Sequence, residues 1–346
     1  SLGFADPSTM SFTGQVRTET FVHDKFGRLV ENTDGEGFTT RIEYDAFGNQ
    51  TRIIRGLYLL NPGDAGYDAA KDALSYEVAD APTLSYTYDA LNRVTSVIDG
   101  EGNVTEYQYD GNNNRIKEVD ARGVALSSSD EQAYQDQRVA LGYAALVADL
   151  SNQDVLEIRD LYAKTYTYDL AGNLLSIVNA EGGVKEFSNY VNGEALNSRT
   201  LQSGDPNSAT AVWITESFEY DGNGNQTAAV DGRGFRTERT FDANNNTLSE
   251  TIAAGTGDER TTTFEYNLDN YLIATTDAEG NRTEFGRDAL GNRTTVTDAL
   301  NRTAHFYYYP GSNNLRAIVD AEGYVNEFDY DANNNRIEVR VYLDKY

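Results

Sequence analysis

Tyr86-Thr87-Tyr88-Asp89-Ala90-Leu91-Asn92-Arg93-Val94-Thr95-Ser96-Val97-Ile98-Asp99-Gly100-Glu101-Gly102-Asn103-Val104-Thr105-Glu106-Tyr107-Gln108-Tyr109 carries the fold of the whole chain in one unit. Tyr86 and Tyr88 lie two apart, so they share one face of a strand. Asp89 to Arg93 reads as a turn, because Asp accepts backbone N–H bonds and Asn tolerates positive φ. Val94 to Ile98 is rich in Val, Thr and Ile and reads as the return strand. Asp99-Gly-Glu-Gly-Asn103 is a second turn, with Gly for left-handed positions. Val104 to Tyr109 then opens the next unit. The unit is a β-hairpin, and consecutive hairpins are expected to pair as an antiparallel meander.

The pattern recurs along the chain. Its corners are Phe21-Val-His23-Asp24, Ile42-Glu-Tyr44-Asp45, Tyr86-Thr-Tyr88-Asp89, Tyr107-Gln-Tyr109-Asp110 and Tyr166-Thr-Tyr168-Asp169. Further on come Phe218-Glu-Tyr220-Asp221, Arg239-Thr-Phe241-Asp242, Phe264-Glu-Tyr266-Asn267, Phe285-Gly-Arg287-Asp288, Phe306-Tyr-Tyr308-Tyr309 and Phe328-Asp-Tyr330-Asp331. Many neighbouring copies are 21 residues apart, as from Asp24 to Asp45 and from Asp221 to Asp242. A second marker lies about ten residues after seven of the corners: Asp34-Gly-Glu-Gly, Asp99-Gly-Glu-Gly, Asp120-Ala-Arg-Gly, Asn179-Ala-Glu-Gly, Asp231-Gly-Arg-Gly, Asp277-Ala-Glu-Gly and Asp320-Ala-Glu-Gly. A fixed internal period of this kind marks a repeat architecture. Only 5 prolines interrupt it, which suits strands that need every ladder hydrogen bond.

The motif (Tyr/Phe)-x-Tyr-Asp-x-x-Gly-(Asn/Arg)-aliphatic resembles the YD repeat of rearrangement hot spot (RHS) proteins. Relatives of that family include the cocoon subunits of insecticidal toxin complexes, wall-associated proteins and teneurins. The resemblance extends from about Phe21 to Ile337. It implies a ribbon that curls into a shell around a passenger, commonly a toxin. His23 and Arg287 depart from the second Tyr, and Asn267 and Tyr309 from the Asp. The copy around Phe187 to Asn197 is degenerate. At these places hairpin geometry is in question.

The sequence divides into a lead-in (1–20), repeats (21–55), an insertion loop with a short helix (56–83), repeats (84–125), a helical insertion (126–164), repeats (165–198), an extended loop (199–215) and repeats (216–346). The short helix is expected over Tyr67 to Leu74. In the helical insertion Ser129 offers a cap, and Val139, Tyr143, Leu146, Val147 and Leu150 follow at helical spacing. The fold class is therefore all-β, a meander of hairpins curling into a partial shell or spiral ribbon with a small helical insertion. About 22 strands at roughly 4.8 Å spacing give a ribbon on the order of 100 Å long, which must curl or close. Shells of the resembling family need several times this much chain. A partial wall with open edges at both ends is the expectation, either a piece of a longer polypeptide or a subunit that joins end to end.

Charge narrows the partners. With 28 Lys+Arg against 55 Asp+Glu, the net charge is −27, which argues against nucleic acid. No stretch approaches the roughly 18 apolar residues of a membrane-spanning helix. There is no cysteine, so redox compartment is not legible. The acidic, Lys-poor surface suits an extracellular, secreted or cell-surface setting, where salt screens self-repulsion.

Candidate chemistry is sparse. Asp110-Gly-Asn112-Asn-Asn114, Asp221-Gly-Asn223-Gly-Asn225, Asp242-Ala-Asn244-Asn-Asn246 and Asp331-Ala-Asn333-Asn-Asn335 match the opening of a calcium loop. Eleven positions on, however, stand Ala121, Gly232, Ala253 and Tyr342, not the bidentate Glu. Turn chemistry is the preferred reading, with calcium the alternative and no other cofactor. Two histidines and no cysteine leave no zinc site or Cys–His nucleophile. His23 and His305 occupy repeat slots, where a structural role is expected. Tyr pairs read as cross-strand ladders before sugar-binding platforms.

Among the family's features is a core containing Asp-Pro-x-Gly, near which the passenger is cut off. Asp6-Pro7 and Asp205-Pro206 do not continue to that pattern. The resemblance then implies a non-enzymatic section of an RHS-type shell. Its partners would be the remainder of the same polypeptide or identical subunits, with a toxin as passenger. The alternative is a cell-surface adhesin, with surface glycans as partners, or a self-assembling extracellular filament. The repeat corners expected to carry the structure are Asp24, Tyr44, Asp45, Tyr88, Asp89, Tyr109, Asp110, Tyr168, Asp169, Tyr220, Asp221, Phe241, Asp242, Tyr266, Asp288, Tyr308, Tyr330 and Asp331.

Overall fold

The computed structural model describes residues 12, 14–60, 68–72, 81–124, 159, 160 and 162–345. In chain order the strands are β1 (Val16–His23), β2 (Leu29–Thr33), β3 (Thr39–Tyr44), β4 (Gln50–Leu57), β5 (Thr83–Tyr88), β6 (Val94–Ile98), β7 (Val104–Tyr109) and β8 (Arg115–Val119). The middle set is β9 (Ala163–Tyr168), β10 (Leu174–Val178), β11 (Val184–Val191), β12 (Glu194–Ser203), β13 (Val212–Tyr220), β14 (Gln226–Val230), β15 (Arg236–Phe241) and β16 (Thr247–Ile252). The last set is β17 (Arg260–Tyr266), β18 (Leu272–Thr276), β19 (Arg282–Arg287), β20 (Arg293–Thr297), β21 (Thr303–Tyr308), β22 (Leu315–Val319), β23 (Val325–Tyr330) and β24 (Arg336–Tyr342). Two single-turn helices, α1 (Ala69–Asp72) and α2 (Ala121–Val124), complete the described elements. All 24 strands belong to one antiparallel sheet.

The chain divides into two units. One comprises Ser1–Glu43, Ile53–Ala81 and Thr237–Tyr346; the other comprises Tyr44–Arg52 and Pro82–Arg236. In the second, the meander follows the sequence. β5 pairs with β6, β6 with β7, β7 with β8, and β8 with β9 across the insertion. Tyr86 lies opposite Val97, and Val97 opposite Thr105, which places ring, β-branched and hydroxyl side chains on one face. Thr87, Ser96 and Glu106 take the other face.

In the first unit, β1 lies between β2 and β24, with Val16 opposite Tyr342 and Thr20 opposite Glu338. This corrects the expectation of open edges at both ends. The strand that pairs with β24 is the one that runs into the Phe21-Val-His23-Asp24 corner, but it starts at Val16, inside the 1–20 lead-in. Terminal edges that find each other hide N–H and C=O groups that would otherwise pair with another chain.

Other expectations change in detail. Residues 199–215 are mostly strand, since β12 and β13 pair from Asn197↔Ser217 to Ser203↔Val212. The degenerate copy is an intact hairpin, with Val191 opposite Glu194 and Asn192 and Gly193 both at positive φ. That is the two-residue turn whose twist matches the flanking strands. Of the short helix expected over Tyr67 to Leu74, α1 is the described part. The helical insertion expected over 126–164 lies largely outside the described residues.

Full burial is confined to small or branched side chains under longer ones. Ala274 is opposite both Glu265 and Glu284 and is 0% exposed. Arg282 bonds both of those carboxylates, with Nε 3.0 Å from Glu284. Ala228, equally hidden in the other unit, faces Glu219, which Arg236 grips with two bonds of 2.8 and 3.0 Å. An ion pair thus roofs a small residue, and the alkyl stem of the arginine supplies apolar cover. The compact apolar cluster is Ile54, Leu57 and Ala81, where β4 meets the first insertion.

Candidate functional site

The repeated structural site is the corner. At Asp89, the Leu91 and Arg93 amides both donate to Oδ1, at 2.9 and 3.0 Å, and Arg93 Nε donates to Oδ2 at 2.7 Å. The backbone closes the loop with Asp89 N to the Arg93 carbonyl at 2.9 Å and Asn92 N to the Asp89 carbonyl at 3.0 Å. Asn92 sits at φ 59°. One carboxylate therefore ties down three donors within five residues, which is why Asp and not Glu opens the turn.

The D-x-N-x-N segments use the same arrangement. Asp110 Oδ1 accepts from the Asn112 and Asn114 amides, and Oδ2 from Asn114 Nδ2, all at 2.9 Å. Asp221 is bonded likewise by Asn223 and Asn225, Asp242 by Asn244 and Asn246, and Asp331 by Asn333 and Asn335. The last Asn turns its NH₂ toward the carboxylate. A calcium loop instead gathers oxygens around the cation. These donors hold Asp45, Asp89, Asp99, Asp110, Asp169, Asp221, Asp242, Asp277, Asp288 and Asp331 below the usual carboxylate range, the side chain four residues on being the largest cause. Asp24 is also lowered, its bonds from Arg28, Phe26 and the Arg28 charge outweighing a larger single opposing effect of burial.

The departures keep the corner by other means. Asn267 Oδ1 accepts from the Asp269 and Tyr271 amides at 3.0 and 2.9 Å. At Tyr309 the loop is one residue longer, and Ser312 Oγ accepts the Asn314 amide at 2.9 Å.

A second role of the corner Tyr is illegible in the sequence. At Tyr88, Tyr109, Tyr168 and Tyr308 the hydroxyl donates to the carbonyl of the residue five past the preceding corner Asp. Tyr109 reaches Val94 at 2.9 Å, and Tyr308 reaches Arg293 at 3.0 Å. Tyr88 reaches Gln50 at 2.7 Å across the first insertion, and Tyr168 reaches Arg115 at 3.0 Å across the second. Tyr190, in the degenerate copy, bonds Leu174. Arg287 stands where a Tyr is expected and donates to Leu272 through Nη2 and Nε at 3.2 and 3.4 Å. Burial raises the phenol pKa of Tyr88, Tyr168, Tyr190 and Tyr308.

Neighbouring corners also bond directly. Asn49 Nδ2 donates to Asn92 Oδ1 at 2.8 Å, Arg93 Nη1 to Asn113 Oδ1 at 2.9 Å, Asn246 Nδ2 to Asn270 Oδ1 at 3.1 Å, and Asn314 Nδ2 to Asn334 Oδ1 at 3.0 Å. The positive-φ residue is thus Asn at these places because it accepts, as well as because it tolerates the backbone. Tyr44, Tyr220, Phe241, Tyr266 and Tyr330 occupy the same slot before their corners.

The histidines stay in the sheet. His305 is opposite Val319 and stacks on Tyr307 with ring centroids 6.3 Å apart; burial lowers its pKa. Among the described residues no cluster of His, Asp and Glu has the arrangement of a metal site. No helix among them is long and apolar enough to cross a membrane.

Corners of this kind, laid side by side, define a β-hairpin repeat protein whose repeats are joined corner to corner. The RHS Repeat family model matches residues 23–57, 88–125 and 266–303, so these three segments of the chain are similar to RHS repeats. Among solved structures, the Photorhabdus luminescens Tc holotoxin pore is similar at 15% identity and a TM-score of 0.42, covering 92% of this chain and 16% of that one. The crystal structure of TcdB2-TccC3 is similar at 16% identity and a TM-score of 0.42, with the same coverage. The chain thus spans under a fifth of either. No curated protein matches the sequence.

Proposed function

We propose that this chain is a non-enzymatic section of an RHS-type shell that encloses a passenger, a toxin in the first instance, outside the producing cell. The observation that carries the reading is the corner Tyr bond, which is made across insertions of very different length. Within the second unit it keeps neighbouring hairpins joined across both insertions, which supports a wall. A pre-paired wall acts physically: it keeps a passenger from folding or reaching its target. The end-to-end filament is the weaker reading, because β1 and β24 occupy each other's edges. The remainder of the polypeptide and the passenger are the partners under this proposal; calcium and glycans are not needed for it.

The test is protease protection of a reporter domain fused after Tyr346, in the longest polypeptide that contains this stretch. Survival of the reporter with loss of its activity until denaturation supports enclosure. Digestion at the rate of the free reporter refutes it. Fibres in electron micrographs of the purified chain would favour the filament instead.

A further inference from the structure

The joint between β24 and β1 differs from the joints around it. Here corner Asp24 follows corner Asp331, and the slot filled at the other corners by Tyr, Phe241 or Arg287 holds His23. The backbone is set as at other corners, since the register shifts at Val22/His23 as it does at Thr87/Tyr88. Yet His23 Nδ1 is buried with no hydrogen-bond partner. The slot of Asn92, Asn113, Asn270 and Asn334 holds Gly27, at φ 77°, as it holds Gly48, Gly172, Gly224 and Gly291 at other corners. The Asn335 amide faces it, with Oδ1 3.3 Å from where a Cβ would lie. Asn335 Nδ2 bonds Asp331 at 3.0 Å, as Asn49 Nδ2 bonds Asp45 at the same distance. Asn49 has a second acceptor in Asn92; Gly27 has no side chain to offer one.

At the other end the joint is well made. Five residue pairs run from Val16↔Tyr342 to Thr20↔Glu338, against three at β18–β19 and at β22–β23. Leu343 N bonds the Gln15 carbonyl and Gln15 N bonds Asp344 Oδ2, both at 2.9 Å. The Phe12 and Tyr342 rings are 5.6 Å apart. No turn connects the two strands, so parting them breaks no hairpin.

We propose that the β1–β24 joint is a latch: it is held by its ladder, opens from the corner end, and exposes two strand edges while the rest of the first unit stays paired. Unpaired edges accept an extended segment readily, which gives the latch a use in admitting chain. The proposal stands independently of what the shell contains.

Hydrogen exchange on the purified chain tests it. Residues 16–20, and within 338–342 the amides that face β1 and not β23, are expected to exchange about tenfold faster than 315–319 and 325–330. Combining His23→Tyr with Gly27→Asn restores the missing bonds, and the gap should fall to within about threefold. The opposed pair Glu19→Cys and Val339→Cys gives a single disulfide in a chain with no other cysteine. Oxidation should erase the gap and reduction restore it in the same sample. Equal protection in the unmodified chain, no change on oxidation, or no effect of the corner substitutions would each overturn the latch.

Discussion

The two kinds of turn use the same carboxylate but do different work. At Asp99, Oδ1 accepts the Glu101 and Asn103 amides and Oδ2 accepts Asn103 Nδ2, just as at Asp110. What the intervening turns lack, in the bonds described above, is the second layer: a Tyr hydroxyl on a preceding carbonyl and an Asn on a neighbouring corner. The long connections fall on the intervening side, between β4 and β5, β8 and β9, β12 and β13, and β16 and β17. The Tyr-Asp side keeps a near-constant loop length. This second layer, not the turn itself, is therefore what holds the Tyr-Asp loops to one length; the intervening turns meet instead through exposed ion pairs, such as Arg302–Glu322 at 3.5 Å and Arg122–Glu181 at 3.6 Å. Loops without the second layer lengthen at little cost, because closure entropy grows slowly with length.

The sharpest way to break this comparison is a one-glycine insertion. Placed between Leu91 and Asn92 it should displace Asn92 from Asn49 and lower the melting temperature strongly. Placed between Gly255 and Thr256 it should leave the melting temperature within a degree or two. Equal effects would show that the two sides are equivalent.

Next in size is Asp110→Ala, which removes three acceptor bonds at once and should lower the melting temperature by several degrees. Asp110→Asn should cost less, because Asn267 already serves this role. Sign matters for acid. These aspartates titrate lower in the folded chain than unfolded, so the unfolded state binds more protons on acidification. Their contribution is complete above the ordinary carboxylate value, about pH 4, and is lost as pH falls through the lowered folded value. The drop in stability between the Asp110→Asn chain and the parent should therefore shrink below about pH 4. A constant difference from pH 7 to 3 would contradict the assigned bonds.

Tyr168→Phe removes one hydrogen bond and leaves the ring, at a cost of about 1 kcal/mol in denaturant melts. The smallest effect is expected from chelator: the melting temperature should not move, because the Asp110, Asp221, Asp242 and Asp331 oxygens already have N–H partners. A fall on chelation would revive calcium.

Much of the fold is legible in the sequence. Alternation in Tyr86–Tyr88 and Val94–Ile98, with Asp and Gly between, specifies a hairpin by local chemistry. The corner Asp was legible for the same reason. What was not legible is non-local. Nothing around Tyr168 indicates that its hydroxyl belongs to Arg115, because the partner lies beyond an insertion. Nor does the 1–20 lead-in advertise a strand for β24, since Val16 to Thr20 carries no marker. Arg287 looked like a defect because the motif is written in rings, whereas the carbonyl of Leu272 asks only for a donor.

The most direct test is to excise residues 125–158 and join Val124 to Arg159 through a short glycine linker. The ends are already close: an added Cβ on Gly123 would lie 3.1 Å from the Arg159 carbonyl. If the wall is continuous through Tyr168 and Arg115, the shortened chain should keep its β-sheet circular dichroism and a cooperative melt. Loss of the sheet signal, or a melt broken into two separate transitions absent from the parent, would contradict it.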